Sequence, residues 1–78
     1  MTAKTIKDLD VIDDVWIKDG EELFKGWVFE RSRRCIYVVY GTDQRDYCFQ
    51  LPRPLTVDKI EQGDKVLYCN NPENDNKI

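Results

Sequence analysis

The segment CIYVVYGTDQRDYCFQL, residues 35–51, constrains the fold of this chain more than any other. A run rich in β-branched and aromatic residues leads to Gly41, and a second apolar run begins at Tyr47 after a polar link. Such side chains favour strands, and a polar link that contains glycine is typical of a hairpin. The segment therefore predicts two antiparallel strands.

Side-chain alternation predicts which face of this hairpin is buried. If Asp43 and Gln44 form the tip, Val38 lies opposite Phe49, Cys48 opposite Val39, and Arg34 opposite Arg53. One face of the hairpin is then apolar: Ile36, Val38, Tyr40, Tyr47, Phe49 and Leu51. The other face is mixed: Cys35, Tyr37, Val39, Asp46, Cys48 and Gln50. We expect the apolar face to form the core and the mixed face to contact solvent or a partner.

The remaining segments predict three further strands and one helical turn. Alternation in VIDDVWIKD, LFKGWVFE and DKVLYCN indicates strands over 11–19, 23–30 and 64–70. Gly26, inside the second of these, marks a bulge or the close approach of another backbone. Between Pro54 and the last strand, TVDKIEQ is expected to form one helical turn, with Thr56 as its cap and Gly63 as its end.

These elements predict one domain over residues 1–70, an all-β, five-stranded antiparallel barrel, followed by a disordered polar tail over 71–78. Residues 1–9 form either a short helix or an extension of the first strand. In the order of its elements, over Val11 to Asn70, the chain resembles the Src-homology, Tudor and bacterial small-barrel group. An oligonucleotide-binding barrel, the second choice, needs a helix where this chain has only GTDQRD.

Composition excludes several classes of function. No segment reaches the roughly 20 apolar residues of a membrane helix, and the polar start MTAKTIKDLD does not resemble a secretion signal. We therefore expect a cytoplasmic protein with no membrane contact. The three cysteines lack CxxC spacing and the chain has no histidine, so we expect no metal site, no cofactor and no catalytic cysteine pair. Packing is the role expected for the cysteines, without a disulfide between Cys35 and Cys48.

The charge distribution points to one candidate binding region. The net charge is -3, yet residues 31–53 carry five arginines against two aspartates, a basic island between two acidic segments. Four of these arginines, Arg31, Arg33, Arg34 and Arg53, are expected at one end of the hairpin, and Arg45 at the other. The forked guanidinium group suits phosphate and carboxylate partners. Solubilising loop charges are the plainer interpretation, because exposed ion pairs contribute only about 0–1 kcal/mol.

Two other clusters invite a functional interpretation. The aromatics Trp16, Trp27, Phe29 and Tyr37 could form a cage for a methylated cation, although core packing is the expected role of at least one tryptophan. The acidic residues of the first 22 positions do not match the spacing of a calcium loop, and a solvated sheet edge explains them more simply.

The sequence therefore favours a non-enzymatic binding module. The leading hypothesis is a protein-interaction adaptor, regulator or inhibitor, of the kind that bacteria and phages encode as single short domains. Its predicted site is the outward hairpin face, Tyr37 and Val39, rimmed by Arg31, Arg33, Arg34 and Arg53. The alternative is a nucleic-acid-binding barrel that uses these arginines for phosphates and Tyr37 for base stacking. A homodimer is a further hypothesis, since the basic island of one copy could meet an acidic segment of another.

Overall fold

The computed structural model describes residues 5–73, which form one curled antiparallel sheet of six strands. In chain order the strands are β1 (Asp14–Asp19), β2 (Glu22–Arg31), β3 (Cys35–Tyr40), β4 (Arg45–Gln50), β5 (Lys59–Gln62) and β6 (Lys65–Tyr68). Their order across the sheet is β4-β3-β2-β1-β6-β5. A short 3-10 helix, Ile6–Asp8, precedes β1. The predicted mainly β architecture is confirmed, with six strands where five were expected.

The predicted helical turn over residues 56–62 is wrong, because Lys59–Gln62 is a strand. Ile60 is buried opposite Leu67 of β6, while Lys59 and Glu61 on either side of it are exposed. This period-two burial is what a strand at a sheet edge requires. Gly63, expected to end a helix, has a φ of +63° and opens the tight turn into β6. The hairpin pairing with β6, across the short Gly63–Asp64 turn, therefore overrides the helical pattern.

The predicted register of the β3–β4 hairpin is also wrong, by two residues. The connection is a four-residue loop, in which Gly41 and Gln44 both have positive φ and the Gln44 N–H donates to the Gly41 carbonyl at 3.2 Å. Val38 consequently faces Tyr47, and Cys48 faces Tyr37 and not Val39. Because the shift is an even number of residues, every side chain stays on its predicted face.

The core lies on the concave side of the curled sheet. Eleven apolar residues are buried to at least 95%: Ile6, Leu9, Val15, Ile17, Val28, Ile36, Val38, Tyr40, Phe49, Ile60 and Leu67. Tyr40 and Phe49 are the largest of them. The expectation that a tryptophan anchors the core is wrong, because Trp16 is half-buried and Trp27 is 38% exposed.

The sheet closes only partly and forms a half-barrel. Its two edge strands, β4 and β5, approach each other, and the Gln62 side-chain amide donates to the Gln50 carbonyl at 2.9 Å. A cleft of about 330 Å³ lies along this seam, lined by Leu51, Pro52, Val57 and Ile60 among others. One end of the core is covered by Ile6 and Leu9 of the N-terminal segment.

Three sequence-based expectations concern the two ends of the chain and membrane-spanning helices. Residues 6–8 of the predicted helix or strand extension form the 3-10 helix, while residues 1–4 lie outside the described part. Of the predicted polar tail only residues 71–73 are described, and 74–78 lie outside. Within residues 5–73 there is no helix long and apolar enough to cross a membrane.

Candidate functional site

Four apolar side chains cluster on the convex side of the sheet, which we call the outer face. Trp27 of β2 lies directly opposite Val39 of β3, and Tyr37 is the next residue of β3 on the same face. Trp27 and Tyr37 are 38% and 37% exposed, and Phe29 is 60% exposed. We call these residues, Trp27, Phe29, Tyr37 and Val39, the aromatic patch.

Phe29 of this patch lies at a bulge in β2. The pairing of β2 with β3 shifts between Val28 and Glu30, so Phe29 has no direct partner in the ladder. The rings of Phe29 and Tyr37 meet edge to face, with centroids 6.4 Å apart. An extra residue of this kind bends a strand and redirects a side chain. Phe29 is already on the Trp27 face by alternation, and the bulge changes the residues after it, so that Arg31 lies opposite the core residue Ile36.

The structure places Tyr37 and Val39 on one face, as predicted. Trp27 and Phe29, which the sequence offered only as members of a possible aromatic cage, join them there. For Trp27 a signal was available, because it alternates with Gly26 and Val28, whose positions face the core. For Phe29 the same signal was available, because it is two residues from Trp27 and alternation places both on one face.

Three of the four predicted binding arginines lie exposed at one end of the sheet. Arg33 and Arg34 occupy the β2–β3 turn, and Arg53 follows β4. The Arg34 carbonyl accepts the Leu51 N–H at 2.7 Å, so Arg34 lies opposite Leu51. The predicted register had placed it opposite Arg53. Within residues 5–73 none of the three makes an ion pair of 4.0 Å or less. Their guanidinium groups are therefore available for an anionic partner.

The fourth predicted arginine, Arg31, has a structural contact. Arg31 lies opposite Ile36, a core residue, and is half-buried. Its guanidinium group donates to the carbonyls of Ile6 at 3.4 Å and Lys7 at 3.2 Å. From the sequence Arg31 was expected to bind a partner together with Arg33 and Arg34. In the structure its hydrogen bonds hold the N-terminal segment against the sheet.

This difference leads to a prediction for Arg31 and its neighbour. Arg31→Ala is expected to lower the free energy of unfolding by about 1–2 kcal/mol, because it removes a charged donor from two backbone carbonyls. Arg33→Ala should change it by no more than about 0.5 kcal/mol, as is usual for exposed positions. Urea unfolding followed by tryptophan fluorescence measures both. Equal effects of the two substitutions would contradict the structural role of Arg31.

Arg45, expected alone at the far end of the hairpin, belongs to a polar cluster that the sequence did not reveal. Its Nε donates to Asp43 at 2.8 Å, and its NH1 lies 3.4 Å from Asp19, which also accepts the Tyr40 hydroxyl at 3.0 Å. Lys65 lies 3.7 Å from the same Asp19 carboxylate. The cluster ties β1, the β3–β4 hairpin and β6 together and leaves Arg45 engaged within the fold.

Two pKa shifts reflect these contacts. Burial, followed by the hydrogen bond to Asp19, raises the pKa of Tyr40 above its ordinary value. The hydrogen bond from Arg45 lowers the pKa of the Asp43 carboxyl. Both directions agree with the contacts, in which a neutral Tyr40 hydroxyl donates to Asp19 and a charged Asp43 carboxylate accepts from Arg45.

The three cysteines are free thiols and all are half-buried. Cys35 and Cys48 lie on the outer face of β3 and β4 as diagonal neighbours, since Cys35 is opposite Gln50 and Cys48 is opposite Tyr37. Cys69 follows β6 and is packed against the core. The expectation that cysteines pack is consistent with Cys69, whereas the pair on the outer face is a consequence of the observed register.

Other chemistry has little support in the described part of the chain. Residues 5–73 contain no group of three or more cysteine, aspartate or glutamate side chains placed to share a metal ion. The seam cleft between β4 and β5 is lined by four apolar and four polar or charged residues: Leu51, Pro52, Val57, Ile60, Gln50, Lys59, Glu61 and Gln62. The aromatic patch with its neighbouring arginines is therefore the candidate site.

Comparison of the chain with protein-family models, with curated proteins and with solved structures found no match. The interpretation of the candidate site therefore rests on its geometry alone.

Proposed function

We propose that this chain is a small, non-enzymatic protein-interaction module, an adaptor, regulator or inhibitor, that binds a partner protein through the aromatic patch. The observation that carries the proposal is the side-by-side exposure of Trp27, Phe29 and Tyr37 on one face. Isolated apolar residues on a surface need no explanation, whereas a contiguous group is typical of an interaction site.

The residue types of the patch suit a protein partner. Tyrosine and tryptophan are enriched among the few residues that dominate binding energy, and they lose little conformational entropy on binding. Arg33 and Arg34, in the turn that leads into β3, directly precede the strand that carries Tyr37 and Val39. They would pair with carboxylates at the edge of the contact and favour an acidic partner surface. A second copy of this chain, with its acidic segments, is one such partner.

The strand order supports a further part of the proposal, the assignment to the Src-homology and Tudor-like small barrels. The order β4-β3-β2-β1-β6 places the first strand between the second and the last, with β5 added outside. In this proposal β5 occupies the position of the short turn that was expected before the last strand.

Binding should depend on the patch and not on exposed apolar residues in general. With a partner captured from the source cells and then purified, Trp27→Ala and Tyr37→Ala are each expected to weaken the affinity at least about tenfold, or 1.4 kcal/mol. Val57→Ala is the matched control, because Val57 is 43% exposed but lies on the seam. Isothermal titration measures all three. Equal affinities for the patch and seam variants would refute the proposal.

Nucleic-acid binding is the second candidate, favoured by the exposed Arg33, Arg34 and Arg53 near exposed rings. It predicts retention of single-stranded DNA or RNA that falls steeply with salt. Each arginine that neutralises a phosphate of a single strand contributes about 0.7 to the slope of log K against log salt. Changing Arg33 and Arg34 together to Ala should therefore make that slope less steep by up to about 1.4. Two results would exclude this candidate. One is no retention at about 50 mM salt, which is well below physiological ionic strength. The other is retention that does not fall as the salt concentration rises.

A further inference from the structure

The turn that leads into β1 presents two apolar side chains to solvent. In this four-residue turn the Asp13 N–H donates to the Asp10 carbonyl at 3.1 Å, and the Asp10 N–H donates to the Asp13 carboxylate at 2.8 Å. Val11 and Ile12, the two central residues, are 47% and 80% exposed, and we call them the apolar tip. Ile12 is the most exposed of the large hydrophobic residues in the described part of the chain.

The backbone of Ile12 is strained. Its φ of +69° lies in the left-handed region, where a β-branched residue is an outlier. A turn with positive φ at its third position normally has glycine or asparagine there. Because the Ile12 side chain is largely exposed, burial among residues 5–73 offsets little of this strain. The fold of a single chain therefore gives no reason for isoleucine at this position, whereas a contact with a partner does.

The apolar tip lies beside the aromatic patch. The Ile12 N–H donates to the Val28 carbonyl at 2.8 Å, and the Val28 N–H donates to the Asp13 carbonyl at 2.9 Å. Val28 is the residue between Trp27 and Phe29, so these bonds place the tip next to the patch. Within residues 5–73, all but one of the exposed large hydrophobic residues belong to the tip or the patch: Val11, Ile12, Trp27, Phe29 and Tyr37. Such a group is typical of an interaction surface.

Charges of opposite sign flank this surface. On the β1 side, Asp14 lies directly opposite Trp27 and is exposed, and Asp10 is exposed in the turn. On the other side of β2, the exposed Arg33 and Arg34 occupy the turn into β3. A partner of uniform charge would meet like charge at one of these flanks. A second copy related by a two-fold axis parallel to β2 places the acidic flank of each copy against the basic flank of the other.

We propose that the apolar tip and the aromatic patch form a self-complementary surface, through which two copies of this chain associate as a two-fold dimer. The inference rests on the proposed function, and it names a second copy as the partner of the patch. Because the tip lies on the β1 side of β2 and Tyr37 on the β3 side, the axis brings each Ile12 towards Tyr37 of the other copy. Burial of Ile12 then offsets its backbone strain, and symmetry makes this contact twice.

The first test compares Ile12→Asn with the wild type and with Val57→Ala, a control at an exposed residue on the seam. Sedimentation equilibrium over a series of concentrations gives the dimer dissociation constant of each full chain. Ile12→Asn is expected to raise this constant at least about tenfold, and Val57→Ala to leave it unchanged. At a dilution where the wild type is monomeric, the unfolding temperature of Ile12→Asn should not fall, because asparagine tolerates positive φ. A lower unfolding temperature with an unchanged dissociation constant would assign Ile12 to the fold and overturn the inference.

The second test exchanges the charges of the two flanks. Asp14→Lys, and separately Arg33→Glu combined with Arg34→Glu, should each weaken the dimer, because the introduced charges face like charges of the other copy. An equal mixture of the two variants should associate more tightly than either alone, because it restores opposite charges at both contacts. A mixture no tighter than its components, or a wild type that is monomeric at every concentration, would overturn the inference. A monomeric wild type would not decide the proposed function, which the titration of patch variants against a captured partner tests separately.

Discussion

Replacement of Phe49 by Ala is expected to lower the free energy of unfolding by about 3–5 kcal/mol, the usual cost of truncating a buried phenylalanine. Phe49 is fully buried, and its ring meets Tyr47 edge to face with centroids 4.9 Å apart. It is also the only phenylalanine among residues 5–73 with no exposed surface. Small domains have a stability of about 5–15 kcal/mol, so the loss would remove a large part of it.

The matched control for this substitution is Phe29→Ala. The same atoms are removed, but Phe29 is 60% exposed on the outer face and leaves no cavity behind. Its effect on the free energy of unfolding should stay within about 0.5 kcal/mol. Chemical denaturation of the three proteins, monitored by circular dichroism, measures both changes. If Phe29→Ala were as destabilising as Phe49→Ala, the assignment of Phe29 to an open surface would be wrong.

Substitution of Gly26 by Ala is expected to cost about 3 kcal/mol, at the upper end of the range for overpacked positions. Gly26 of β2 lies opposite Tyr40 of β3 and is buried. A β-carbon at this position would lie 2.3 Å from the Val39 carbonyl oxygen and 2.8 Å from the Tyr40 β-carbon. Backbone atoms of a central strand cannot move away without breaking ladder hydrogen bonds, so the contact cannot relax cheaply.

Gly20→Ala provides the comparison for Gly26→Ala. Gly20 lies in the β1–β2 turn with a φ of +64°, and an added β-carbon there would meet nothing within 4 Å. The expected cost is therefore only the backbone strain of an L-residue in the left-handed region, about 1–2 kcal/mol. Thermal unfolding of the two variants ranks them directly. A smaller effect at Gly26 than at Gly20 would show that β2 and β3 are not packed as closely as described.

Alternation along the strands made the division into faces predictable. Ile36, Val38 and Phe49 were expected inside, and Tyr37 outside, because successive side chains of any strand point to opposite sides. The assignment of side chains to faces stays correct when the predicted register is wrong by an even number of residues. The two-residue shift caused by the longer Gly41–Gln44 loop therefore changed every cross-strand neighbour and no face.

Cross-strand neighbours could not be predicted in the same way, because they depend on the length of a loop. The approach of Cys48 to Cys35 follows from a four-residue connection between β3 and β4, where the sequence suggested two residues. The strand character of Lys59–Gln62 has a different origin, since its partner β6 follows directly after the two-residue turn Gly63–Asp64. A Gly-Asp pair between two short runs is a hairpin signal, and the hairpin buries Ile60 opposite Leu67.

The arginines show the same division between local and tertiary information. Their number and their concentration in residues 31–53 are properties of the chain. Which of them can bind a partner is not a property of the chain alone. Arg31 donates to the carbonyls of Ile6 and Lys7, and Arg45 pairs with Asp43 and Asp19. Within residues 5–73, Arg33, Arg34 and Arg53 are the arginines that are both exposed and without an ion pair. The contacts that remove the other two span more than 20 residues along the chain, apart from the local pair with Asp43.

The sequence by itself determined the mainly β class, the inner and outer sides of the central hairpin, and the basic island, because each depends on residue type and a two-residue period. Tertiary structure decided the partial closure through Gln62 and Gln50, the contact between the Phe29 and Tyr37 rings, and the hydrogen bonds of Arg31 to the N-terminal segment. These features depend on which residues meet across strands. That choice is made by loop geometry and by the core as a whole, and no short stretch of the chain contains it.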